Sequence, residues 1–510
     1  MSCRRIRVAA AVFGGAFLSL LSLAQADGFL AAYDSIAVPD LRTHIEVLAD
    51  DALEGREAGS RGGRTAAAYL ARQLAEFGLK PAGDEGSFLQ KFEGGSYRNV
   101  LAVMEGSDPT LKHEYVLVGA HYDHVGYGTS RNSRGPWGRI HHGADDNASG
   151  VAGVLEIAQA VTLLTTSPGR SILFAFWDGE EKGLLGSKHW CSQPTVPLRA
   201  VSLACNADMI GRLRDDKLQI FGSRTASGLR RWLSERNQAT NLTLDLSWEL
   251  RAHSDHFPLV EQEIPALMLH TGLHDDWHRP SDVADKINHE GLSATTRLLF
   301  SLVIDSANRP SRWAFRRDSR GERPADLARL ERPAAPRPAR FGISWTDDAG
   351  GDLPGVALTQ VTPGSPAERA KLLIGDRLIR FDGLEVADSG QLGVAIWAAS
   401  SPAMAAVQRE TGEILEVSVD LDGGPLRYGI SWREDDGEPG TVVLSEIVPL
   451  SAADLAGLAV GDRIYRVAGE DFRDGQQLAQ RLAVLPGPVA LLIERNGRLQ
   501  QVVVETPSLP

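Results

Sequence analysis

Short, almost wholly apolar runs alternate with helical patterns over the first three hundred residues. NVLAVMEG (99–106), YVLVGAH (115–121), SILFAFWD (171–178), AVSLACNADMI (200–210) and IPALMLHTG (264–272) are such runs. Their length and continuous hydrophobicity suit strands covered on both faces. Between them, apolar residues recur at helical intervals. RTAAAYLARQLAEFG (64–78) predicts an amphipathic helix stopped by Gly78, and GVAGVLEIAQAVTLL (150–164) and TRLLFSLVIDSA (296–307) predict two more. The stretch THIEVLADDALEGREAGSRGG (43–63) reads as helix with a glycine-rich interruption. This order predicts a three-layer α/β fold around a mixed, mostly parallel sheet.

The pattern lapses near residue 308. From Arg309 to Arg340 come ten Arg, five Pro and four acidic residues with little periodicity. That composition predicts a linker over 309–339, with a short helix around Trp313–Phe315. An internal repeat follows. RFGISW (340–345) returns as RYGISW (427–432), and SPAERAKLLIGDRLIRFDG (365–383) returns as SAADLAGLAVGDRIYRVAG (451–469). Each copy reads strand, strand, short helix, Gly-Asp-Arg turn, strand, helix, strand. The pair resembles a tandem of PDZ domains, small and β-rich, over 340–423 and 424–507. Such domains take a chain terminus as an added strand. The resemblance implies that Gly342 and Gly429 point backbone N–H groups at a terminal carboxylate. Packing against the preceding region is the alternative role.

At 510 residues the chain exceeds one hydrophobic core, so two or three domains are expected. A formal charge of −13 argues against a nucleic-acid partner. The beginning of the chain reads as a leader. Arg4, Arg5 and Arg7 precede an apolar run from Val8 to Leu23, and Ala24-Gln25-Ala26 offers small residues for cleavage. Residues 1–26 are therefore expected to be removed. No stable membrane span should remain, and a periplasmic or secreted location is expected. Cys191 and Cys205 could then form a disulfide or stay as buried thiols. Neither lies in a CxxC spacing, so neither is read as a zinc ligand.

The chemistry sits where the apolar runs end. His121 closes YVLVGAH, Glu180 and Glu181 follow SILFAFWDG, Asp208 lies near the end of the 200–210 run, and His278 lies in DDWHRPSD. The turn GADDNASG opens the helix predicted from residue 150 and carries Asp145 and Asp146. Strand ends are where α/β sheets place ligands. Two imidazoles and three carboxylates suit two zinc ions that share a carboxylate. Asp145 and Asp146 are equal candidates for the shared role on sequence alone. Asp123 stands two residues after His121, where its carboxylate can accept the imidazole's other N–H. One of the paired glutamates can bind metal while the other takes a proton from water. His124, His141, His142, His270 and His274 read as wall or surface residues. His256, in HSDHFPL, is the remaining histidine expected to touch substrate.

Residues 45–308 resemble the M28 family of dinuclear zinc peptidases, mostly aminopeptidases. HYD (121–123), GADDNASG (143–150), GEEKGLLGS (179–187), NADMIG (206–211), SDHFPL (254–259) and WHRPSDVADKI (277–287) carry the likeness. The resemblance implies that His121 and Asp208 take separate zincs, that Asp146 bridges, and that Glu181 and His278 complete the two sets. It implies Glu180 as general base; Asp123, as the partner of His121, is counted with it as a catalytic residue. A protease-associated domain inserted in many relatives is not expected, because NVLAVMEG runs almost directly into YVLVGAH. The catalytic region should then span 27–308 and act on peptides with a free N-terminus. Three other functions compete: a glutaminyl-cyclase-like acyltransferase with one zinc, a carboxypeptidase or amidase on the same scaffold, and an inactive adaptor working through its PDZ-like pair.

Overall fold

A computed structural model describes residues 23–347 and 354–506. The expected leader lies outside the described residues except for its last four, which begin a helix Leu23–Ser35. Among the described residues no helix is long and apolar enough to cross a membrane. The chain divides into two compact units, residues 1–226 with 236–321, and residues 227–235 with 322–510.

The first unit is built on a nine-stranded sheet. Its strands are β1 (Lys80–Pro81), β2 (Leu89–Phe92), β3 (Tyr97–Met104), β4 (Tyr115–His121), β5 (Ser171–Trp177), β6 (Val201–Ala207), β7 (Lys217–Phe221), β8 (Thr243–Asp245) and β9 (Ala266–His270). They lie in the order β1-β3-β5-β4-β6-β9-β7-β8, with β2 paired to β3. The centre, β5-β4-β6-β9, is parallel, and β3 and β7 run antiparallel to it. Every residue of β5 and β6 is buried, as continuous apolar runs require when helices cover both faces. All five apolar runs form strands. The short pairs β1–β2 and β7–β8 carry too little pattern to announce themselves.

Helix Arg61–Glu76 begins where the Ser60 hydroxyl accepts from Gly63 N at 3.1 Å, a side-chain N-cap. It buries Ala66, Ala67, Leu70 and Leu74. Helix Gly150–Ala160 is buried along almost its whole length, and helix His289–Asn308 starts on an Asn288 cap. The glycine-rich interruption is a left-handed turn. Glu54, Gly55 and Arg56 all have positive φ, and a Cβ on Gly55 would lie 2.5 Å from His141 O. The turn therefore needs glycine there, and it drives Arg56 into the core. Cys191 and Cys205 are both free and buried, so the disulfide alternative is not realised.

The second unit holds two six-stranded sheets of the same order. In the first copy β10 (Ile343–Thr346), β11 (Val356–Val361), β12 (Arg377–Phe381), β14 (Ala403–Gln408) and β15 (Ile414–Val419) follow one another, with β13 (Leu384–Glu385) beside β12. In the second, β16 (Ile430–Glu434), β17 (Val442–Ile447), β18 (Arg463–Val467), β20 (Val489–Arg495) and β21 (Arg498–Val504) do the same, with β19 (Glu470–Asp471) beside β18. Arg340 and Arg427, one step before the repeated aromatic, donate to the last carbonyls of helices Ser389–Ala398 and Gly475–Val484. Gly342 and Gly429 have positive φ, and a Cβ on either would lie 2.2 or 2.1 Å from the Cβ of Ser365 or Ser451. Those serines cap the short helices that follow.

The Arg/Pro-rich segment is not one linker. Residues 309–321 stay with the first unit, and 322–339 belong to the second. No helix covers Trp313–Phe315; a helix runs instead from Pro324 to Leu330. Arg433 donates to Leu330 O and Arg332 O, and Arg463 pairs with Glu331 at 2.6 Å. The helix Leu229–Arg236 leaves the chain between β7 and β8, yet residues 227–235 also belong to the second unit. There Glu438 accepts from Arg230 N and Arg231 N at the helix start, and Arg230 forms a buried two-point pair with Glu494 at 2.8 and 3.1 Å. Burial alone would raise the Glu494 carboxyl, but Arg230 overcomes it and holds it at about 2.

Candidate metal centre

The parallel centre of the sheet fixes the site. Gly119 pairs with Asn206 across β4–β6, so His121 and Asp208 come level where the two strands end. His121 itself pairs with Trp177, placing Glu180 and Glu181 just beyond the neighbouring edge. The turn of Asp146 and the loop of His278 close over these ends.

Six side chains named from the sequence meet there with a seventh. His121, Glu180 and Asp208 form one group of mutually close ligand atoms, so His121 and Asp208 fall together and not in separate sites as the resemblance implies; Asp146, Glu181 and His278 form the other group, together with His124. His121 Nε2 lies 3.5 Å from both Asp146 Oδ1 and Asp208 Oδ1. His278 Nε2 lies 3.1 Å from Asp146 Oδ2 and 3.2 Å from Glu181 Oε2. One carboxylate thus offers an oxygen to each group. Bonds of about 2.1 Å at tetrahedral angles would set ligand atoms roughly 3.4 Å apart. The observed spacings, and donors drawn only from imidazole and carboxylate, fit zinc.

His124 was expected in the wall. Its Nδ1 instead lies 2.9 Å from Glu181 Oε1, and its Nε2 is buried without a hydrogen-bond partner. Asp145 faces elsewhere. Its carboxylate lies 3.1 Å from His274 Nε2, accepts from Gly211 N at 2.7 Å and from the Ser149 hydroxyl at 3.0 Å, and so is fully occupied. The backbone path of the turn thereby separates two acids that the sequence left equal.

The supports are buried. His121 Nδ1 makes its hydrogen bond to the Asp123 backbone carbonyl at 3.2 Å, not to the carboxylate, which lies 3.7 Å away. Nδ1 therefore carries the proton and Nε2 faces the cluster. The Asp123 carboxylate accepts from Glu180 N at 3.0 Å and Glu181 N at 3.4 Å, so it holds the glutamate turn. Asp282 accepts from Asp145 N and Asp146 N, with Arg212 at 3.1 Å. Ser254 donates to Asp208 Oδ2 at 2.5 Å and accepts from Asn206 at 2.7 Å. Arg56 donates to the carbonyls of Leu48, Tyr122, His142 and Gly143. It ties the His121 strand end to the Asp146 turn. Nothing in EGREAG marked it, because an arginine beside glycines reads as solvated.

His256 corrects an expectation. It is fully buried in helix His256–Glu261 and does not line the cleft. Burial lowers its imidazole to about 4 against the pull of Asp208, so it stays neutral. The cluster itself is strongly polarised. Burial disfavours charge on His278, but Asp146 and Glu181 overcome it and push the imidazole up to about 10. Burial raises Glu180 well above the usual carboxylate range; Glu181, Asp255 and Asp208 add to this, and His121 opposes it.

The cluster opens into a cleft of about 480 Å³, a volume suited to one or two amino-acid residues. Leu184, Met209, Met268, Leu273 and Trp277 supply its apolar walls.

Residues 99–303 match the model of peptidase family M28, and residues 443–495 match that of a PDZ domain. Leupeptin-inactivating enzyme 1 of Streptomyces exfoliatus is 29% identical over 208 residues, 40% of this chain and 42% of its own. Aminopeptidase YwaD of Bacillus subtilis is 26% identical over 232 residues, 43% of this chain and 47% of its own. The chain thus spans less than half the length of these two relatives. Among solved structures, the LapA aminopeptidase of Legionella pneumophila is 22% identical, with a TM-score of 0.46 over 56% of this chain and 76% of its own. Residues 99–303 are accordingly a peptidase family M28 domain, and residues 443–495 a PDZ domain.

Proposed function

We propose that the M28 domain is a zinc-dependent aminopeptidase that holds two zinc ions and hydrolyses the first peptide bond of substrates with a free N-terminus. The observation that carries this reading is Asp146, whose two oxygens face two separate ligand groups. Asp146 would bridge, with His121 and Asp208 on one side and Glu181 and His278 on the other. Zinc held there supplies a Lewis acid that polarises the scissile carbonyl and makes water easier to deprotonate near neutral pH.

The remaining work falls to the chain's own residues. Glu180 takes the proton of the attacking water and returns it to the departing amine. Asp123 keeps the Glu180 backbone in place through the Oδ1 contact at 3.0 Å. The ligand carboxylates favour an α-ammonium group beside the scissile bond, which points to exopeptidase action. In the second unit β10 and β16 are edge strands among the described residues. Added peptide strands would lie there, beside Gly342 and Gly429, with a chain terminus as the partner. The leader read in residues 1–26 supports a periplasmic or secreted location.

A panel of amino-acid amides with free and N-acetylated termini tests the activity. Free amides should be hydrolysed and acetylated ones should not. Equal cleavage of both would contradict aminopeptidase action and favour an amidase.

A further inference from the structure

The cleft has an uneven charge distribution outside the metal cluster. Asp146, Glu180, Glu181 and Asp208 are the acids that line it, and all belong to the cluster. Outside the cluster, every ionisable residue lining it is basic: Lys188, Arg251, His253 and His270.

Their local bonding leaves donors for a ligand. Arg251 lies in the segment between β8 and helix His256–Glu261. Its Nε donates to Glu249 at 3.1 Å, and its guanidinium stands 5.0 Å over the Phe221 ring. Those two contacts orient the group while engaging only one of its three nitrogens. The Glu249 side chain is 45% exposed, so water screens that pair. Lys188, on helix Leu185–Ser192, donates to Gly183 O at 2.9 Å and has no carboxylate partner among the described residues. His270 closes β9. Its Nδ1 accepts from Gly272 N at 2.7 Å, so the neutral ring carries its proton on Nε2 and is a donor there.

We infer that the cleft selects an acidic residue at the cleaved bond, an N-terminal glutamate or aspartate whose side-chain carboxylate is bound by Arg251. This rests on the aminopeptidase reading. Lys188 adds a positive charge, His253 lines the same wall, and His270 adds a neutral donor. Met209, Met268 and Trp277 cover the methylenes. The filled centre does not repel such a side chain: the four cluster carboxylates and two divalent ions sum to zero. A guanidinium in a small cleft also binds a carboxylate more strongly than it binds a neutral amide of the same shape.

The test uses the zinc-loaded full chain and 4-nitroanilides of Glu, Gln, Asp, Asn and Leu. These carry no C-terminal carboxylate, so any preference belongs to the side chain. kcat/KM should be roughly tenfold to a hundredfold higher for Glu than for Gln. Arg251→Gln should bring that ratio close to one, and Arg251→Glu should shift preference towards Lys. A wild-type ratio of one or less, with Leu turned over, would overturn the inference and leave the aminopeptidase standing. The same holds if Arg251→Gln impairs only Leu-Ala relative to Leu-Ala-amide, because the cations would then serve the far end of the substrate. No turnover of any anilide would remove the aminopeptidase reading itself.

Discussion

Glu180→Gln should lower kcat by about a hundredfold to ten-thousandfold while the protein keeps its zinc. The substitution preserves shape and removes only the ability to carry a proton. The Glu180 carboxylate belongs to the His121–Asp208 group, so it has two possible roles, base or ligand. Metal content separates them. A base is dispensable for binding, so zinc per chain should match wild type. A ligand is not, and zinc should fall. The metal-free variant should also be no less stable than wild type near neutral pH. Burial raises the folded-state carboxyl above its unfolded value, with Glu181, Asp255 and Asp208 adding to the rise. The charged form therefore destabilises the fold above that unfolded value, and the amide removes the penalty. Intact turnover, or loss of zinc with loss of turnover, would contradict Glu180 as base.

Arg56→Met should lower stability by at least ~3 kcal/mol, because several buried carbonyls lose their donor together. Arg56 is fully buried, and its contacts reach Leu48, Tyr122, His142 and Gly143. Burial pushes its guanidinium down to about 10; Asp146, Asp282, Asp123 and Glu181 oppose that shift and keep it charged. Tyr122 follows His121, and Gly143 opens the Asp146 turn. Losing the tie should therefore weaken zinc binding as well as folding. Denaturant midpoints and zinc per chain measure the two effects. A variant within ~0.5 kcal/mol of wild type and fully loaded would show that the tie is dispensable.

Much of the centre was legible because its residues follow strands that are apolar on both faces. A histidine or acid that ends such a run breaks a strong pattern, and parallel register then brings those ends level. His121, Glu181 and Asp208 were visible for that reason. The choice between Asp145 and Asp146 was not, since adjacent acids in one turn are separated only by the backbone path. His124 was misread because no one-dimensional pattern distinguishes a wall imidazole from one bonded to Glu181. His256 erred the other way: a polar-looking SDH motif turns its histidine into the core. Asp282 and Arg56 act through backbone groups far away in sequence, and no local spacing signals that. Helix Leu229–Arg236 carries no sequence signal of where it packs. Its decisive partner, Glu494, lies 264 residues away.

The central claim is that Asp146 stands between two cations, and zinc per chain tests it most directly. Protein saturated with zinc, freed of excess by gel filtration and measured by elemental analysis should hold two ions per chain. Asp146→Asn should hold clearly fewer. One ion or none in the wild-type chain, or an unchanged count in Asp146→Asn, would contradict it.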